Sequence, residues 1–129
     1  MNYLELKSPH DGALLILEIT DRFHDSVEFN VQVKTGYFSG SASSSTFMAA
    51  PLETWFQSMA DDWAGWIDEK KWGDLESRVQ LSATADKTGH IKVNVFLAGQ
   101  DYDSQLRVNI MFEAGQLDDM AHDVARLFA

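Results

Sequence analysis

The feature that most constrains this chain is the strict alternation of apolar and polar residues between Val27 and Lys34. Val27, Phe29, Val31 and Val33 fall on one side, and Glu28, Asn30, Gln32 and Lys34 on the other. A period of two marks a strand with one buried face. The same pattern returns in Arg78–Ala85, in Ile91–Leu97 and in Leu106–Phe112. Short connections join these runs, among them Asp86-Lys87-Thr88-Gly89, whose glycine is placed for positive φ, and the loop Gly99–Ser104. Strands linked this tightly are antiparallel neighbours.

Before Val27, Tyr3–Leu6 and Ala13–Thr20 read as two further strands separated by the turn formers Ser8-Pro9-His10-Asp11-Gly12. Thr35-Gly36 opens a turn into a fourth strand, Tyr37–Phe47. The period then changes. Leu52, Trp55, Phe56, Met59, Trp63, Trp66 and Ile67 recur every three or four residues, the stripe of a helix running from Pro51 to Ile67. At roughly 1.5–3 kcal/mol per large side chain buried, that stripe is a major part of the core. Gly65 weakens the helix near its end, and Gly73 suits the stop. A second amphipathic helix, Leu117–Phe128, closes the chain with Leu117, Met120, Ala121, Val124, Leu127 and Phe128 on one face. The expected fold is α+β, in the order ββββ–α–βββ–α. It is a curved antiparallel sheet of about seven strands packed on two amphipathic helices, in one domain spanning the chain.

Charge narrows the range of partners. Ten Lys and Arg against twenty Asp and Glu give a formal net charge of −10. Nucleic acid is not expected, because Lys70-Lys71 is the nearest thing to a basic patch and it sits among Asp68, Glu69 and Asp74. An acidic surface favours a basic protein partner through faster encounter. The chain has no cysteine, which excludes disulfides and thiolate chemistry and fits a reducing compartment. No apolar run approaches the roughly 20 residues of a membrane span, and no signal peptide is visible. A cytoplasmic location is expected.

Motifs of catalysis are few. Three of the four histidines precede aspartate, at His10-Asp11, His24-Asp25 and His122-Asp123. Two of these pairs sit in turns, none has zinc-helix spacing, and solvated turn residues explain them. Asp101-Tyr102-Asp103 starts like a calcium loop, but Leu106 and Phe112 stand where that loop needs Gly and Glu. Lys87-Thr88-Gly89 lacks the Ser-x-x-Lys nucleophile that serine acylases pair with it. Neither a phosphate loop nor a nucleophile elbow occurs. The residues point to a non-enzymatic binding module with no metal and no cofactor. Its candidate contacts are Asp61 and Asp62 on the polar side of the first helix, Trp72 in the following connection, and the loop Asp101-Tyr102-Asp103. The alternative is a small-molecule-binding or enzymatic domain with a pocket between sheet and helix beside Trp63 or Trp66. A homodimer through an exposed strand edge is also open.

A strand ending in Phe38-Ser39-Gly40, a helix from about Leu52, a Leu75-Glu76-Ser77 strand start, a Gly89-His90-Ile91 strand and a final amphipathic helix occur in that order. This arrangement, over Val31 to Phe128, resembles small bacterial proteins grouped with WapI-type immunity proteins. The resemblance implies a cytoplasmic protein that binds and neutralises a toxin domain. It transfers no catalytic residue, and it makes Gly89 a turn residue and His90 an edge or cap. Glu113-Ala114-Gly115-Gln116 departs from the family's usual approach to the last helix.

Overall fold

The computed structural model describes residues 1–129. Four strands come first: β1 (Tyr3–Lys7), β2 (Leu14–Arg22), β3 (Val27–Lys34) and β4 (Ser39–Ser45). Helix α1 (Leu52–Asp61) follows, then β5 (Lys70–Gly73), β6 (Val79–Ala85), β7 (His90–Ala98) and β8 (Gln105–Glu113). A short 3-10 turn, Ala114–Gln116, leads into α2 (Leu117–Phe128).

The single curved sheet of about seven strands does not form. Eight strands divide into two separate four-stranded antiparallel meanders, β1-β2-β3-β4 and β5-β6-β7-β8. A sheet of seven strands at ~4.8 Å spacing would be roughly 34 Å wide, whereas two helices side by side cover only about 20 Å. One continuous sheet would therefore leave apolar face in water, and packing two sheets together removes that cost. Strand β4 lies against β6 and β7 without bonding to them. Its small residues also admit β8: a Cβ on Gly40 would sit 2.7 Å from Leu106 Cδ2.

The extra strand is β5. Lys70-Lys71-Trp72-Gly73 has the composition of an exposed link, yet it pairs antiparallel with β6, Gly73 opposite Gln80 and Lys70 opposite Ala83, and starts the second sheet. Helix α1 also stops six residues short of Ile67. Gly65 has φ +114° and Asp68 φ +62°, backbone that no helix continues through. Leu52, Trp55, Phe56 and Met59 are buried as expected, but Trp63 and Ile67 are exposed. The two helices pack on each other, α1 beside β5 and α2 beside β1. One core of 29 buried residues takes members from all eight strands and both helices. Neither helix is long and apolar enough to cross a membrane.

The strand register follows the alternation. Phe29, Val31 and Val33 are fully buried, and Leu15, Leu17 and Ile19 opposite them are buried too. In the second sheet Val79, Leu81 and Ala83 face inward together with Val93, Val95 and Leu97.

Candidate functional site

The side chains with the most chemistry gather where the first turn of one sheet meets the strand ends of the other. His90 opens β7, and in the antiparallel register its partner is Glu113, the last residue of β8. Directly opposed residues share a face, so the two side chains lie side by side. His10 arrives from the β1–β2 turn. That turn is closed by Ser8 N–H donating to Ala13 O (2.8 Å), Gly12 N–H to Ser8 O (3.1 Å) and Ala13 N–H to Asp11 Oδ1 (2.9 Å). Gln116 ties the same corner together, accepting from Glu113 N–H at 2.9 Å and donating to Lys7 O at 3.0 Å.

His10 Nε2 lies 2.7 Å from Glu113 Oε1, and His90 Nε2 lies 3.5 Å from the same oxygen. The imidazole centroids are 5.4 Å apart at 64°. The three potential ligand atoms all fall within 4.8 Å of one another. The side chains of His10, His90 and Glu113 are 39%, 40% and 37% exposed, so the cluster is open to solvent on one side.

A second layer fixes His90. Asp86 Oδ1 accepts from the backbone N–H of His90 (3.0 Å) and of Thr88 (2.8 Å) and from the Thr88 hydroxyl (2.7 Å). The His90 backbone bond, then the Thr88 hydroxyl, hold the Asp86 carboxyl far below the usual carboxylate range, against a smaller opposing effect of desolvation. Asp86 is therefore ionised and cannot donate. Thr88 has one hydroxyl proton, and it goes to Asp86. His90 Nδ1 lies 2.8 Å from Thr88 Oγ1 and 3.1 Å from Asp86 Oδ2, with acceptors on both sides. Nδ1 must carry the proton. In neutral His90 the lone pair is then on Nε2, directed into the cluster.

A second concave surface is a cleft of about 300 Å³ between the two sheets. Phe23, Phe47 and Leu75 form its apolar part and are all exposed at 44% or more. Glu28, Asp74 and Glu76 supply its acids. Ser44 donates to Asp74 Oδ2 at 2.7 Å across the sheet junction, and Arg78 pairs with Glu76 at 2.9 Å. Beside Trp66 there is a separate open hollow of about 660 Å³, lined also by Asp68, Glu69, Lys71, Thr84 and Ala85. Trp63 points to solvent, and Trp66 is held against the second sheet by a 3.0 Å bond from its indole to Ala83 O.

The residues singled out from sequence are scattered. Asp61 and Asp62 are exposed at the end of α1, accepting from Gln57 (2.9 Å) and Lys70 (2.7 Å) respectively, and neither lines the cleft. Trp72 is no surface anchor. It is 5% exposed, donates to Ala50 O at 2.7 Å and lies 6.3 Å from the Phe29 ring of the other sheet. Asp101, Tyr102 and Asp103 are exposed in the β7–β8 loop. Tyr102, at φ +62°, reaches the cleft margin by donating its hydroxyl to Glu76 O at 2.7 Å. Sequence reasoning did not assemble His10, His90 and Glu113. The pairing of Ala98 with Gln105 across the loop carries the hairpin register back to His90 opposite Glu113. The placement of His10 depends on how the sheets pack and has no local signal.

A family model described as a family of unknown function, DUF6228, matches residues 6–129. The chain belongs to that family. No curated protein matches it.

Proposed function

We propose that this DUF6228 member is a ligand-binding domain whose site is the corner formed by His10, His90 and Glu113. The observation that supports it is convergence: two imidazole nitrogens face one carboxylate oxygen, at 2.7 and 3.5 Å, from three separated positions in the chain. A structural ion pair needs one histidine, and a cap needs none. Binding is the smaller claim beside catalysis, since three groups suffice to hold a ligand whereas turnover also needs a positioned reacting atom. The test is imidazole NMR during titration with small cations and oxyanions. A ligand that moves the His10 and His90 rings together, and is lost in His10→Ala, supports the reading. Independent responses of the two rings to every probe refute it.

The cleft supports a second reading, a non-enzymatic protein-binding module of the immunity type that neutralises a basic toxin domain. Exposed Phe23, Phe47 and Leu75 beside Glu28, Asp74 and Glu76 suit a cationic segment with an apolar side chain. The net charge of −10 agrees with this. On this reading a Glu28→Lys, Glu76→Lys double reversal abolishes salt-sensitive capture of a basic protein, and an Asp61→Lys, Asp62→Lys reversal does not. The opposite ranking would return the contact surface to α1.

A further inference from the structure

Resting on the reading of this corner as a ligand site, we propose that the ligand is a divalent transition-metal cation of the zinc type. His10 Nε2, His90 Nε2 and a carboxylate oxygen of Glu113 hold it, with solvent completing the coordination.

Three observations carry the assignment. The first is the donor set. Two imidazoles and one carboxylate suit zinc and its neighbours, whereas calcium and magnesium take oxygen ligands almost throughout. The second is spacing. Ligand atoms of a tetrahedral site with bonds of about 2.0–2.1 Å stand about 3.3 Å apart. The two separations from Glu113 Oε1, 2.7 and 3.5 Å, bracket that value. All three ligand atoms lie within 4.8 Å of one another, so side-chain rotation is what the site asks for on binding.

The third is the tautomer. Asp86 and Thr88 place the His90 proton on Nδ1, so neutral His90 points a lone pair at a carboxylate oxygen 3.5 Å away. Two electron-rich atoms facing each other repel unless a positive charge lies between them. A cation held between them removes the repulsion, and a divalent metal ion is the one this donor set suits. Hydrogen bonding of the remote imidazole nitrogen to a carboxylate is also how metal-bound histidines are oriented and made more basic. A structural account of the corner explains the short His10–Glu113 contact. The Asp86-Thr88 turn fixes His90, and the outcome is an Nε2 lone pair aimed at Glu113 that an ion pair alone would not use.

The ligands also come from both sheets, His10 from the β1–β2 turn and the other two from β7 and β8. Bound metal would clasp the two sheets at a corner where Gln116 makes a single bond to Lys7. Its signature is thus stability as well as binding.

The test is calorimetric titration of the chelator-stripped full chain with zinc chloride near neutral pH, together with thermal melts with and without zinc. The expected result is one saturable site and a raised melting temperature. His10→Ala and His90→Ala should each weaken binding more than about a hundredfold, beyond the cost of losing an outer-shell partner, while Asp86→Asn costs about tenfold. His24→Ala and His122→Ala should bind as the parent does. Because His90 closes a strand pair, His10→Ala, in an exposed turn, is the decisive variant, with circular dichroism confirming its fold. Zinc binding unchanged in His10→Ala overturns the proposal. No zinc binding, with inorganic phosphate still moving both imidazoles, overturns the metal and leaves the ligand site standing. No response to either removes both.

Discussion

Trp72 separates a surface account of this chain from a core account. Its indole is 5% exposed, stands on β5 opposite Leu81, and meets Phe29 of the first sheet at 6.3 Å. It therefore helps join the two sheets. Truncating a buried tryptophan to alanine removes its transfer free energy and leaves a cavity, together about 3–5 kcal/mol. Total stabilities of about 5–15 kcal/mol make this roughly a fifth or more of what a domain typically has. At roughly 4 °C per kcal/mol for a chain of this size, Trp72→Ala should lower the melting temperature by roughly 12–20 °C. Trp72→Phe keeps most of the volume and loses the 2.7 Å bond to Ala50 O. Ala50 is exposed, so water can take the vacated acceptor, and the loss should be about 1–2 kcal/mol. Urea denaturation followed by far-UV circular dichroism, with the m-value checked for constancy, measures both. A Trp72→Ala protein within about 0.5 kcal/mol of the parent, the usual range for surface substitutions, would refute this reasoning.

The two Lys-Thr-Gly turns give a second prediction. Gly89 has φ +84° and Gly36 does not lie in that region, while an added Cβ meets only Ala114 Cβ at 3.7 Å for Gly89 and nothing within 4 Å for Gly36. Gly89→Ala should cost about 1–2 kcal/mol from backbone conformation alone, and Gly36→Ala should stay within about 0.5 kcal/mol, both read as urea midpoints. Asp86 gives a pH dependence. Its folded-state pKa is lowered, so its contribution is present above the unfolded carboxylate value of about 4 and is lost as pH falls through the lower folded value. Asp86→Asn should reduce stability at pH 7 and flatten the decline below about pH 4; an unchanged acid limb would show that the turn bonds do not act through the carboxylate.

Much of the fold was legible because alternation and helical stripes are local. Val27–Val33, Ile91–Leu97 and the whole of α2, Leu117–Phe128, appear where their periodicity puts them. The positive φ of Gly89 followed from the turn it closes. What failed was non-local or very short. Lys70-Lys71-Trp72-Gly73 is too brief and too charged to read as a strand, and its pairing with β6 decides that there are two sheets. The helical stripe beyond Met59 misled because Trp63 and Ile67 keep the spacing after the helix has ended at Asp61. The same loss of context turned Trp72 into a candidate contact. At the site, Glu113 facing His90 follows from the hairpin register, but the His-Asp neighbours in sequence carry no sign of it. His10 comes to that pair only through the packing of one sheet on the other, a relation that no single segment encodes.

The most direct test of the central claim, that three chain positions build one ligand site, is the protonation state of the imidazoles. Long-range proton–nitrogen NMR of the metal-free protein at neutral pH should show His90 as the Nδ1–H tautomer, and zinc should shift the Nε2 resonances of His10 and His90 together at one equivalent. A His90 ring protonated on Nε2, with His10 responding separately or not at all, would contradict the account.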